Sequence, residues 1–148
     1  MIKLKMKLVR EGACLPRRAT DGAAAADLCA VCGEEGITLL PGQRAAVPTG
    51  VAIQLPGPEY VALVFARSGL GIKKGIALSN GVGVIDSDYR GEIQVGLINL
   101  SDEPYTLHSG ERVAQLAVMP VIPFESEVCA ELDETQRGAG GLGSTGRW

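Results

Sequence analysis

The stretch "GVGVIDSDYRGEIQVGLINLS", Gly81 to Ser101, joins two kinds of sequence. Its second half alternates: Ile93, Val95 and Leu97 are apolar, over a polar face, the mark of a half-buried strand. Its first half begins in the same way, with Val82, Val84 and Ile85. Then Asp86, Asp88, Tyr89 and Arg90 arrive together, bracketed by glycines. The pattern reads as strand, turn, strand. Asp88 suits a turn, because a short carboxylate bonds its own backbone there. Asp86 follows Val-Ile directly and is harder to assign to turn chemistry. The chain has one histidine, His108, which argues against a Ser-His-Asp triad and leaves a carboxylate as the candidate base.

Outward from this hairpin the chain keeps the same habit. "IKLKMKLV", "RAAVPTGVAIQLP" (Arg44–Pro56), "EYVALVFAR" (Glu59–Arg67) and "ERVAQLAVMPVIP" (Glu111–Pro123) are strand-like, separated by "PG", "GPE", "SDEP" and "SG" turn signals. No long segment has a clean helical period. "ARSGLGIKKG" has room for a turn or two of helix, with Ser68 available as its cap. The expected fold is all-β: a sandwich or barrel of short strands, of the jelly-roll kind, with one short helix. "QRGAGGLGSTGRW" at the end is glycine-rich and expected to be a flexible arm.

At 148 residues the chain is expected to be one domain, 1–133 as β core and 134–148 as arm. Aromatic residues are only 4%, so Val, Ile, Leu and Ala must build the core. A net charge of −3 argues against a general nucleic-acid binder. With no apolar run of membrane-spanning length and no secretory h-region, a soluble, cytoplasmic protein is expected. Cys29 and Cys32 form a CxxC, but no second ligand pair accompanies it. Small half-buried thiols in a reduced compartment are the expectation.

Three further stretches carry polar groups suited to anions. "ARSGLG" (Ala66–Gly71) offers a guanidinium, a hydroxyl and backbone N–H groups where a strand ends. The arm spaces Arg137, Ser144, Thr145 and Arg147 among glycines but lacks the P-loop lysine and a following helix. "AAAADLCA" (Ala23–Ala30) sets Asp27 in a strand of small residues, where a salt bridge is the simplest reading.

In order along the chain, "AAAADLCA", "ARSGLGIKKGI", "NGVGVIDSDYRGEIQVGLIN", "GERVAQLAVMPV" and "RGAGGLGSTG" resemble the five motifs of the homotrimeric dUTP diphosphatase (dUTPase) family. The resemblance implies a distorted jelly roll, or β-clip-like barrel. It implies Mg2+-assisted hydrolysis of dUTP to dUMP and pyrophosphate, which keeps uracil out of DNA and supplies dUMP for thymidylate synthesis. It also implies a homotrimer with active sites between subunits.

Carried over, Asp86 would be the base that activates water, and Tyr89 would lie against the deoxyribose. Backbone groups of the hairpin from Asn80 to Gln94, including Gly83, Val84 and Ile85, would read uracil. Arg67, Ser68, Gly69 and Gln115 would hold phosphates, with Arg67 and Gln115 counted as catalytic. Asp27 would act on Mg2+ through water. Arg137, Leu142, Gly143, Ser144 and Thr145 would close over the nucleotide. Leu142 departs from the family pattern, which has an aromatic ring there to stack on uracil; Trp148 is a candidate replacement.

Two alternatives share these residues. A dCTP deaminase would need an acid/base group beside the base, for which Glu92 is the candidate. A dUTP-responsive binding protein would bind without turnover.

Overall fold

The computed structural model describes residues 2–142 and 144. Among them the strands are β1 Lys5–Leu8, β2 Ala26–Cys29, β3 Ile37–Leu39, β4 Arg44–Gln54, β5 Tyr60–Phe65, β6 Ile76–Leu78, β7 Gly83–Ile85, β8 Glu92–Asn99, β9 Tyr105–Leu107 and β10 Arg112–Pro120. The helix, α1, is Ser68–Lys74. One sheet has the order β1-β4-β8-β6, a second β2-β10-β5-β7, and a third pairs β3 with β9. The sheets are open and antiparallel, in keeping with the expected jelly roll.

The alternation that announced β8 is realised side chain by side chain. Ile93, Val95, Leu97 and Asn99 are buried, and Gln94 is exposed. Ile93, Val95 and Leu97 meet Leu28, Val64, Leu116 and Val113 from the second sheet in one apolar cluster. β4 is buried continuously from Thr49 to Ile53, and its ladder with β8 shifts register between Pro48 and Ala52. The short strands β3, β6 and β9 carried too few residues to show a period.

Asn99 is the polar knot of this core, with no exposed surface. Its Nδ2 donates to the Leu39 carbonyl at 2.9 Å and to the Glu103 carbonyl at 2.7 Å. Its Oδ1 accepts from the Ser101 amide at 2.9 Å and hydroxyl at 2.7 Å. Asn99→Ala strands these partners together. We expect a loss of about 2–3 kcal/mol, read as a lower urea midpoint at fixed protein concentration.

One local expectation fails. Ser68 does not cap α1; it is the first helical residue. Arg67 holds the cap position in extended conformation, and no side chain caps the helix. The helix ends at Gly75, whose φ of 67° is left-handed. A Cβ there would also stand 2.9 Å from Ser101.

The cysteines are free, Cys29 and Cys32 half-buried. Burial, then the nearby Cys14 and Asp27, push the Cys29 thiol up, away from a reactive thiolate. No helix among the described residues is long and apolar enough to cross a membrane. β10 ends at Pro120, and beyond it Ile122, Phe124, Val128 and Leu132 are all at least 86% exposed.

Candidate active site

The opening hairpin forms one wall of a cleft of about 330 Å³, lined by Asn80, Gly83, Val84, Ile85, Asp86, Tyr89, Glu92 and Gln94 among others. β7 is the last strand of its sheet. An edge strand has alternate N–H and C=O groups without a ladder partner, so the chain presents main-chain donors and acceptors here. Two glycines let the walls approach. A Cβ at Gly83 would sit 3.0 Å from that of Val64, and one at Gly96 would be 2.6 Å from the Ser79 hydroxyl.

The turn from Asp86 to Gly91 is stitched by its own residues. The Tyr89 amide donates to the Asp86 carbonyl at 3.2 Å. Arg90 Nη1 donates to the carbonyls of Ser87, at 2.7 Å, and Tyr89, at 2.8 Å. Arg90 is therefore a turn clamp, which accounts for a guanidinium in this stretch. The Tyr89 hydroxyl donates to the Glu92 carbonyl at 3.0 Å, and the ring packs so close over Gly91 that a Cβ there would collide with it. Asp86 is exposed, and no hydrogen bond or ion pair among the described residues engages its carboxylate.

Glu92 is spoken for. Arg10 grips it with Nε on Oε1 at 2.6 Å and Nη2 on Oε2 at 2.8 Å, and the Gly50 amide adds a bond at 2.8 Å. The Arg10 hydrogen bond is the main reason the Glu92 carboxyl lies below the usual carboxylate range. With a depressed folded value, its contribution to stability is present above the ordinary carboxylate pKa and fades as pH falls through the folded one. A carboxylate held ionised in this way is a poor proton donor near neutrality, which disfavours the deaminase reading. Nothing in the sequence signalled Arg10, some eighty positions away along the chain.

A second cluster sits where β2, β10 and β5 run side by side. Gln115 lies opposite Asp27 on one flank and Phe65 on the other. Asp27 Oδ1 accepts from Arg67 Nε at 2.9 Å, and Oδ2 from Arg112 Nη1 at 3.1 Å. Arg67 Nη1 also donates to the Arg112 carbonyl at 3.1 Å, and Gln115 Nε2 to the Ala66 carbonyl at 2.9 Å. So Asp27 does form the salt bridge its isolation suggested. It fixes the guanidinium beside the exposed Ser68 and Gly69. Arg112, inside "GERVAQL", was not singled out by sequence reasoning.

These two groups do not meet within one chain. Ile85 is opposite Ala62 and Gly83 opposite Val64, so β7 runs away from the Arg67 end of β5. Asp86 therefore lies about 20 Å from Arg67 along the strand, at ~3.3 Å per residue. The arm stands apart as well. Arg137 Nε donates to the Gly140 carbonyl at 2.9 Å, and the Ser144 amide to the Gly141 carbonyl at 3.2 Å. Leu142 is fully exposed, and Arg137, Leu142 and Ser144 are not part of the cleft lining. The expectations for Gly143, Thr145 and Trp148 lie outside the described residues.

Among the described residues no three His, Cys, Asp or Glu side chains gather into a cation cage. The donors present fit a Mg2+ ion held chiefly by phosphate oxygens and water, the usual habit of that ion. Asp27 accepts two guanidinium bonds and keeps lone pairs for a bridging water.

Comparison with known proteins points to one family. Residues 11–146 match the sequence model of the dUTPase family. The chain is 52% identical over 147 residues to the deoxyuridine 5'-triphosphate nucleotidohydrolase of Desulfitobacterium hafniense (strain DSM 10664 / DCB-2), covering 98% of this chain and 97% of that one. It is 49% identical over 132 residues to the enzyme of the same name from Hahella chejuensis, covering 89% and 86%. Among solved structures, a mutant dUTPase of Staphylococcus bacteriophage 80alpha with dUpNHpp superposes with a TM-score of 0.88 at 26% identity, over 99% of both chains.

Proposed function

The chain belongs to the dUTPase family, and from that premise we propose that it hydrolyses dUTP to dUMP and pyrophosphate at sites built by three copies of itself. The observation that carries this reading is the separation of Asp86 from Arg67 along β5. A base and a phosphate anchor about 20 Å apart at ~3.3 Å per residue cannot serve one α-phosphate. A neighbouring copy brings the two groups together. The exposed Ile122, Phe124, Val128 and Leu132 supply apolar surface for such an assembly.

In that site uracil enters the hairpin cleft and is read by the main chain of β7. A cytosine would present a donor where uracil presents an acceptor and leave polar groups unpaired. The Tyr89 ring lies against the deoxyribose and leaves no space for a 2′-hydroxyl. Arg67, oriented by Asp27, and Gln115 hold phosphate oxygens with Ser68 and Gly69. Asp86 takes a proton from water as it attacks the α-phosphorus. Asp27, through a bridging water, would help hold Mg2+, which when bound would supply charge neutralisation for the pyrophosphate leaving group. Arg137, Ser144 and Thr145 close the arm over the distal phosphates, and Gly143 and Leu142 cover the nucleotide. The unit is one cytoplasmic domain, with 134–148 as the closing segment.

The test is pyrophosphate release from dUTP, dCTP, dTTP and UTP. Release from dUTP alone is expected. Ammonia release from dCTP, or dUTP binding without turnover, would reject the reading. A side-chain prediction follows from Leu142. Leucine offers apolar cover but no π-face, and base stacking on an aromatic is worth ~1–3 kcal/mol. Leu142→Phe should lower the KM for dUTP in steady-state assays.

A further inference from the structure

Arg10 lies outside every stretch assigned to substrate, yet its partner Glu92 lines the cleft. The pair is anchored at a third point. The β4–β8 register shifts between Pro48 and Ala52, and Gly50 sits in that gap with a φ of 67°. A Cβ at Gly50 would collide with Ala13, so the position excludes a side chain. Side-chain bonds occupy the gap instead. Thr49 Oγ1 donates to the Ile93 carbonyl at 2.7 Å, and the Gly50 amide donates to the Glu92 carboxylate at 2.8 Å. The Val9 amide returns to the Gly50 carbonyl at 2.8 Å, tying the N-terminal loop to the same place. The loop, the β4 irregularity and the first residue of β8 are thus one unit. The carbonyl of that same Glu92 accepts the Tyr89 hydroxyl.

We propose that Arg10 and Glu92 are a positioning pair that sets how strongly the site rejects ribonucleotides. This rests on the reading that Tyr89 faces the sugar. Neither side chain is asked to touch substrate. The pair fixes the Glu92 carbonyl, the carbonyl fixes the Tyr89 hydroxyl, and the ring is held at the place where a 2′-oxygen would go. Excluding a single oxygen atom demands a wall placed to a fraction of an ångström, and such a wall needs support behind it. The bidentate fork supplies that support, since a guanidinium on a carboxylate restricts direction as well as distance. Lysine in place of Arg10 would keep the charge and lose the fork.

The experiment measures kcat/KM for dUTP and UTP with the full-length protein and with Arg10→Ala, Arg10→Lys, Glu92→Gln and Tyr89→Phe. Absence of dUTP hydrolysis by the unmodified protein would overturn the proposed activity itself. Given that activity, Arg10→Ala and Glu92→Gln should each reduce the preference for dUTP over UTP roughly tenfold, the scale of a small misplacement of a contact group. Arg10→Lys should fall between Arg10→Ala and the unmodified protein.

The decisive arm is the double variant. In a Tyr89→Phe background the ring has lost the bond through which the pair acts, so Arg10→Ala should change the preference no further. An unchanged preference in Arg10→Ala overturns the proposal, as does an equal loss with and without the Tyr89 hydroxyl. Should Arg10→Ala fail to fold, Glu92→Gln decides, because its amide oxygen still accepts from Gly50. A lower melting temperature in Glu92→Gln with unchanged preference would reduce the pair to a structural brace and sink the idea.

Discussion

Asp86→Asn is expected to lower kcat for dUTP by about 10²–10⁴-fold, the range for a positioned general base, while leaving fold and nucleotide affinity in place. The substitution preserves shape and removes only the ability to take a proton. No hydrogen bond or ion pair among the described residues depends on the Asp86 carboxylate, so no structural partner is orphaned. The turn is closed by the main chain and by Arg90, neither of which is altered. Single-turnover pyrophosphate release gives the rate, and calorimetry with a non-hydrolysable dUTP analogue gives the affinity. An unmodified kcat in this variant would exclude Asp86 as the base. Parallel losses of affinity and rate would assign it to binding.

The second large effect concerns assembly. Asp86→Asn and Arg67→Ala should each be nearly inactive as pure preparations. Co-expressed at equal amounts, they should recover about a quarter of unmodified activity if, as proposed, each site of a symmetric assembly draws the two residues from different copies. A random pairing places an intact Asp86 beside an intact Arg67 in one arrangement out of four. No recovery from demonstrably mixed oligomers would mean that both residues serve a site within one chain, against the register of β5 and β7. The experiment separates geometry from chemistry, since neither parent can supply a complete site by itself.

The sequence made some of this legible and hid the rest for identifiable reasons. β8, β4, β5 and β10 were readable because a half-buried strand alternates, and alternation survives in one dimension. The three-residue strands β3, β6 and β9 were not, because so short a run fits almost any pattern. Asp27, Arg67 and Gln115 were recognised one by one, and only strand register showed that they share a corner. Arg10 and Arg112 escaped because their partners are 82 and 85 positions away, and no local signal encodes a bond of that span. Ser68 misled because a hydroxyl at a helix start usually caps, whereas here the preceding arginine occupies the cap and is tied to Asp27 instead.

The edge position of β7 bears on how this protein can change. On the proposed reading, a base read by the backbone of Gly83, Val84 and Ile85 is recognised by atoms that every amino acid except proline possesses. Point substitution along β7, proline excepted, alters bulk and solubility but leaves the donor–acceptor order untouched. A new base preference would require sliding the strand, and a slide of one residue turns each side chain to the opposite face. Ile85 would leave the core. Substrate choice is thus inherited with the fold, and drift at the surface has little purchase on it.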